Sequence, residues 1–281
     1  MERTDEQIVD IAARNNSEWC DIVCRSHGFA GVFDLEAWTS QRPTPPYYPD
    51  AVTLQRAPNV DRVLSRVDAT AGCTIKDSYA SVDLSAHGFR VLFDAEWIHR
   101  SAQPPRSQRT AAAQWTRIAD PDALIDWETA WSEAGISVGL FPPVLLADHS
   151  VAILGKHADD CIVAGAILNF ASGVVGLSNL FATVEEADAL WPECLDAVED
   201  YFPNVAIVGY ESGPALAAAH SHGFPSAGPL RIWINDGAET HRDFSDHLSI
   251  ISSPITAQYI LNALDPAHPI PPPCTLILPA V

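Results

Sequence analysis

Residues 161–181 read CIVAGAILNFASGVVGLSNLF, two apolar runs that meet across the short turn Ala171-Ser172-Gly173. Runs of this length separated by small turn residues form a β-hairpin, and both strands are apolar enough to be covered on each face. Downstream the period changes. Ala187, Leu190, Trp191, Cys194, Leu195, Val198, Tyr201 and Phe202 recur at helical spacing, and Pro192 among them should kink that helix or mark a restart. A short buried strand at Val205–Gly209 follows, then a second helix running to His222-Gly223-Phe224, and a closing strand at Leu230–Ile234.

In that order the stretch resembles the core of the GNAT superfamily of N-acetyltransferases: a central hairpin, a helix, the fifth strand, a helix ending in Gly-Phe, and a last strand. The residues that carry the resemblance are Val163-Ala164-Gly165-Ala166-Ile167-Leu168, Gly176-Leu177-Ser178-Asn179-Leu180-Phe181, Val205-Ala206-Ile207-Val208-Gly209, His222-Gly223-Phe224 and Leu230-Arg231-Ile232-Trp233-Ile234. With an upstream extension to about Trp115 it covers a little under half of the chain. It implies an α+β fold, GNAT-like, with a mixed, mostly antiparallel sheet flanked by helices.

Composition narrows the rest. With 47% hydrophobic and 19% charged residues over 281 positions, the chain can offset the entropy of folding and reads as globular. A net charge of -20 opposes unaided contact with nucleic acid or an anionic membrane, so neither is an expected partner. The six cysteines are scattered, without a Cys-x-x-Cys pair, which favours buried thiols over disulfides or zinc. MERTDEQIVD lacks the basic start and apolar run of a signal peptide, and the expectation is a cytoplasmic protein.

Taken in order, Ile8, Ile11, Ala12, Trp19, Ile22 and Val23 predict an amphipathic helix ending near His27-Gly28. Residues 39–50, TSQRPTPPYYPD, are too rich in proline for a helix or central strand, and Tyr47 and Tyr48 within them either pack down or line a cleft. Strands are expected at 51–54, 73–80 and 88–98, and a helix at 61–67. Residues 101–114 lose apolar periodicity and divide a segment 1–105 from a GNAT-like segment 115–234, which opens with a strand-like WTRIA and a helix from Asp120-Pro121. His-Gly-Phe precedes a Trp-Ile strand in both segments, at 87–89 and 222–224, which suggests a tandem whose first half is a degenerate copy. Residues 235–281 form a proline-rich appendage that could lie on the surface or on a partner subunit in a homodimer.

The resemblance also assigns chemistry. It implies that the strand like Gly176–Phe181 parts from the strand like Val205–Val208 and admits the pantetheine arm of acetyl-CoA, held by the backbone of Leu180, Phe181 and Ala182. It implies a glycine-rich turn next, whose N–H groups hold the pyrophosphate. This chain has Ala182-Thr183-Val184-Glu185-Glu186-Ala187-Asp188-Ala189 there, with no glycine and three acids, and Thr183 with Glu186 has the spacing of a capping box. Weak or absent acetyl-CoA binding is therefore expected, with another acyl thioester as the alternative donor. The tyrosine that some family members carry four residues before the last helix's glycine is Ala219 here, flanked by His220 and His222, each either an acid or a capping group. Glu211 could be the general base, Tyr210 could position an amine, and Asn179 could touch substrate or satisfy backbone.

No metal is expected. His241, Asp243, Asp246 and His247 have ligand chemistry but fall in the tail, and Asp148-His149-Ser150 is contiguous where a hydrolytic triad is assembled from distant segments. Two functions remain open: acyl transfer from a thioester to the amine of a small molecule, with Glu211 as base and His220 as acid, or a non-catalytic GNAT-like module binding a ligand or protein. The acidic turn predicts that calorimetry will find acetyl-CoA binding no more tightly than pantetheine. Tighter acetyl-CoA would mean that the phosphates are recognised.

Overall fold

The computed structural model describes residues 3–103, 115–132, 139–158, 161–183 and 187–237, with residues 187–190 as backbone only. α1 (Asp5–Ser26) starts where Thr4 and Gln7 close a capping box, each side chain accepting the other's backbone N–H. It is followed by β1 (Val32–Phe33), β2 (Ala37–Thr39), β3 (Ala51–Thr53), the short α2 (Val60–Leu64), β4 (Thr74–Asp77) and β5 (Phe89–Arg100). Then come β6 (Trp115–Arg117), α3 (Pro121–Trp131), β7 (Val151–Ala158), β8 (Cys161–Ala171) and β9 (Val174–Ala182). α4 (Ala187–Tyr201), β10 (Ile207–Glu211), α5 (Gly213–Ser221) and β11 (Ser226–Asn235) complete the order. α4 is continuous through Pro192 and does not restart there. None of the described helices is long and apolar enough to cross a membrane.

The described strands form one sheet in the order β1-β2-β3-β4-β11-β5-β10-β9-β8-β7-β6. Pairing is parallel at β9/β10 and β3/β4 and antiparallel elsewhere, the mixed, mostly antiparallel sheet that the sequence predicts. One placement was not legible. β5, from the first segment, lies between β10 and β11 of the second, pairing Ile207–Glu211 on one side and Ser226–Asn235 on the other. Residues 101–114 separate the two segments in sequence, yet the described strands of both belong to one sheet.

The repeated His-Gly-Phe has a local cause. The tripeptide occurs three times, at 27–29, 87–89 and 222–224, and each time it ends a helical turn. Gly28, Gly88 and Gly223 take φ of 84°, 85° and 84°, and each following phenylalanine N–H reaches the carbonyl five residues back, on Cys24, Leu84 and Ala219. That is the left-handed helix stop that glycine permits. The recurrence marks helix ends and is no evidence of an internal copy.

α1 and α3 cover one face of the sheet. There Trp19, Trp127, Phe141, Ile153, Ile167 and Phe181 share a core, and the Trp127 indole donates to the Leu154 carbonyl at 2.8 Å. The other face packs against α4 and α5 through Leu154, Leu168, Trp191, Leu195, Val198 and Phe224. α1 is fastened to the central hairpin by a polar latch. Asn15, buried at 2% exposure, places Nδ2 at 3.1–3.3 Å from the carbonyl oxygens of Asn169, Ala171 and Val174, and its Oδ1 accepts from Asn169 Nδ2 at 3.2 Å. Gly176 makes room for the latch, since a Cβ there would stand 2.2 Å from both amide oxygens.

Deleting one partner of a buried network strands the rest, so Asn15→Ala should lower unfolding free energy by about 2 kcal/mol. Gly176→Ala, which overpacks the same point, should cost about 1–3 kcal/mol. Urea denaturation followed by circular dichroism measures both. An unchanged midpoint in both variants would contradict the latch.

Candidate functional site

The site grows out of an interrupted ladder. β9 and β10 pair only at Val175 with Ile207 and Gly176 with Val208. β10 continues straight, held along its length by β5. β9 turns away because it carries one extra residue opposite β8. Gly165 pairs Phe181 and Ile167 pairs Ser178, so two steps on β8 face three on β9. Asn179 lies in this bulge at φ 53°, the left-handed region that asparagine tolerates better than most residues. From Leu177 to Ala182 the edge of β9 nearest β10 therefore has no ladder partner.

The fork opens into a cavity of about 1050 Å³ whose wall includes β9 from Gly176 to Ala182 and β10 from Val208 to Glu211. α5 contributes Pro214 and Ala215, α1 contributes Asn15, Asn16 and Trp19, and the proline-rich arm contributes Pro43–Asp50. The arm is held down by Asp50, whose Oδ1 accepts from the Thr44 amide and hydroxyl at 3.0 and 3.1 Å while Oδ2 accepts from the Thr74 amide at 3.0 Å. Tyr47 meets Trp131 edge-on at 5.9 Å and Tyr48 meets Trp19 at 6.3 Å. The two tyrosines thus do both things that the sequence left open, packing on aromatic neighbours and lining the cavity. A rim at Gly139–Phe141 is tied by buried Glu128, which accepts from the amides of Gly139 at 2.7 Å and Phe141 at 2.6 Å.

Glu211 Oε2 and Ser178 Oγ are buried and have no hydrogen-bond partner among the described residues. Burial pushes the Glu211 carboxyl up from 4.5 to about 8, because a carboxylate there would lose water without gaining a donor. Burial also pushes the Tyr48 phenol well above its ordinary value and raises the Cys20 thiol to about 11, so neither ionises near neutrality. Lys76 on β4 is 3% exposed; its Nζ donates to Asn16 Oδ1 at 2.7 Å and stands 4.2 Å from the centre of the Tyr210 ring. Sequence reasoning missed Lys76 and Ser178, since nothing in a short strand announces which polar side chain meets a cavity.

Of the residues singled out from sequence, Tyr47, Tyr48, Asn179, Leu180, Phe181, Ala182, Tyr210 and Glu211 all line this one cavity. His220 does not. It is exposed on α5, with Nε2 2.9 Å from Ser226 Oγ. His222 stacks on Trp191 at 5.6 Å, and Ala219 is fully buried against α4 and the sheet. Asp148 Oδ1 accepts from the amide and hydroxyl of Ser150, a local turn with no part in the cavity.

The acidic turn at Val184–Glu186, and with it the capping box, lies outside the described residues, as do the tail histidines and the appendage beyond Gly237. Thr183 is described: its amide and hydroxyl both donate to the Val163 carbonyl, at 2.9 and 3.2 Å. Among the described residues, no group of three or more His, Cys, Asp or Glu side chains could hold a metal ion. Cys20, Cys24, Cys73 and Cys194 are buried thiols outside any disulfide.

No family model matches the chain, and no curated protein matches it. Solved structures do. A GCN5-related N-acetyltransferase from Kribbella flavida aligns over 80% of this chain and 96% of its own length, with TM-score 0.54 and 11% identity. A functionally unknown conserved protein from Staphylococcus epidermidis aligns over 73% of this chain and 92% of its own, with TM-score 0.51 and 9% identity. At such identities the likeness speaks for the fold alone.

The raised Glu211 carboxyl makes a stability prediction. The folded chain holds this proton up to about pH 8 and the unfolded chain only up to about 4.5, so the contribution is complete below 4.5 and lost as pH rises through 8. Across that window the wild type should lose stability relative to Glu211→Gln by on the order of 1 kcal/mol per pH unit. Denaturation midpoints of the two proteins at pH 5, 7 and 9 test it, and parallel curves would contradict a protonated Glu211.

Proposed function

Because the chain has the GNAT fold, we propose that it transfers an acyl group from a thioester to an amine at the fork between β9 and β10. The observation that carries this reading is that the fork is open and holds Glu211, a carboxyl with an unpartnered oxygen, beside the unpaired edge of β9. A fork kept only as a scaffold would be expected to fill with side chains, since apolar voids cost stability.

The described residues fit the acyl-carrying arm of a thioester. Pantetheine is a chain of amides, and the backbone of Leu177–Ala182 offers N–H and C=O groups that the ladder has left unused. A bound thioester would supply the activated acyl carbon. The residues of the chain supply the rest. The edge of β9 orients the arm, and the bulge at Asn179 sets the direction in which that edge points. Glu211, once deprotonated, takes the proton that the nitrogen of a neutral amine sheds as it attacks, directly or through one water, and burial makes it a strong enough base to do so. The amine nitrogen then bonds to the acyl carbon, the carbon–sulfur bond breaks, and the thiolate leaves. With His220 turned to solvent, no described histidine in the wall of the fork is assigned to protonate that sulfur. Trp191, Pro214 and Ala215 wall the cavity on the side of α4 and α5.

A second reading, a binding module without chemistry, draws on Thr183. Its amide is already spent on Val163, and so it is withdrawn from any phosphate. A donor that presents only its pantetheine arm, such as a carrier-bound thioester, is compatible with both that loss and catalysis.

The experiment is acyl transfer from acetyl-CoA and from acetylpantetheine to a panel of small amines, read by thiol release as a function of pH. kcat/KM should rise with pH and level off near pH 8, where Glu211 loses its proton. Glu211→Gln should lower it by roughly 10²–10⁴-fold and abolish that rise. Transfer that survives Glu211→Gln at full rate would remove Glu211 from the chemistry. Binding of either thioester without transfer to any amine would favour the module.

A further inference from the structure

We propose that the molecule received in this cavity carries a carboxylate, and that Lys76 with Asn16 holds it. The inference deepens the transferase reading by naming the acceptor class, an amine that bears a carboxylate on an apolar or aromatic body.

The chain has only two lysines. Lys156 is paired with Glu193 at 2.7 Å. Lys76 is the more deeply buried, at 3% exposure, and its described partners are a neutral amide and an aromatic ring. Burying an ammonium without a counter-charge is costly, and an amide oxygen and a ring face offset only part of that cost. This occurs in a chain with 36 acidic residues, none of which makes an ion pair with Lys76 among the described residues. Two neighbouring acids are engaged elsewhere. Asp50, in the same wall, accepts from the amides of Thr44 and Thr74. Asp77, the next residue along β4, accepts from the amides of Tyr79 and Val82. An ammonium has three N–H donors, one of which goes to Asn16, and Lys76 lines the cavity, so its remaining capacity is open to whatever enters.

The kind of anion follows from the donors. One point charge with one neutral amide matches a monoanion, whereas a phosphate dianion is commonly gripped by several donors or an arginine fork, and the described wall contains no arginine. Position links this subsite to the fork. Lys76 stands over Tyr210, the residue before Glu211 on β10, so a ligand anchored on the lysine begins at the strand where the fork opens. Trp19, Tyr47, Tyr48 and Trp131 wall the same cavity and would cover an apolar body.

Equilibrium calorimetry on the full chain separates this from the transferase reading. The probes are 3-phenylpropionate against 3-phenylpropanol, and phenylalanine against phenethylamine. Each acid should bind about tenfold or more tightly than its partner lacking the carboxylate. In Lys76→Met the preference should vanish while the circular dichroism spectrum is retained, since replacing an uncompensated buried charge by an apolar side chain of similar length is not expected to unfold the protein. Asn16→Ala, which keeps the lysine and loosens its aim, should weaken the preference by a few-fold, and it stands as the second variant if Lys76→Met does not fold. Absence of any preference for the acids in the wild type, failure of all four probes to bind included, overturns the proposal. A preference that persists in Lys76→Met overturns it equally. 3-Phenylpropionate has no amine, so its binding is informative even if no acyl transfer is ever observed.

Discussion

Two rungs of parallel pairing, Val175 with Ile207 and Gly176 with Val208, are all that join β9 to β10, and the functional part of the molecule begins where they stop. Backbone amides and carbonyls need partners, so a sheet does not open at its centre without a cause. The cause here is a difference between neighbours. β10 is locked to β5 over five residues, Ile207 to Glu211, and cannot follow β9. β9 takes in an extra residue at Asn179 and bends. The latch of Asn15 and Asn169 packs against Gly176 and fastens α1 to the β8–β9 hairpin at the base of the fork.

Seen from the fork, the first hundred residues are part of the site. β5 is the strand that keeps β10 straight. α1 contributes the latch and one wall, and the proline-rich arm contributes another, pinned through Asp50. β4 brings the single buried lysine, and β5 brings Leu92, Phe93 and Trp97, to a cavity whose fork is made by strands beyond residue 160. A strongly acidic chain thus has, in the wall of this cavity, a buried lysine with no acidic partner among the described residues.

The elements between Cys161 and Asn235 were legible because each has a period, two in the strands and near 3.6 in the helices, and because the order of those periods is informative. Leu180, Phe181, Ala182, Asn179, Tyr210 and Glu211 could be chosen because the GNAT resemblance implies that their strands part, and the structure gathers them into one cavity. The insertion of β5 between β10 and β11 could not, because a pairing between residues more than a hundred positions apart leaves no local pattern in either strand. His-Gly-Phe has a local reason to recur, since the same three residues end a helical turn at 27–29, 87–89 and 222–224. His220 was chosen for its nearness in sequence to Gly223, but the last turn of α5 carries it outward to Ser226. Lys76 went unremarked because burial of a polar strand residue is settled by what lies above it, and here that is Asn16 of α1.

The central claim is that the unpaired edge of β9 receives an acyl-carrying arm. Hydrogen exchange of the full chain, resolved to individual amides by NMR and measured with and without saturating acetylpantetheine, tests it most directly. The account predicts slowed exchange confined to Leu177–Ala182 and Val208–Glu211. Exchange unchanged in those two segments, with protection appearing elsewhere or nowhere, would contradict it.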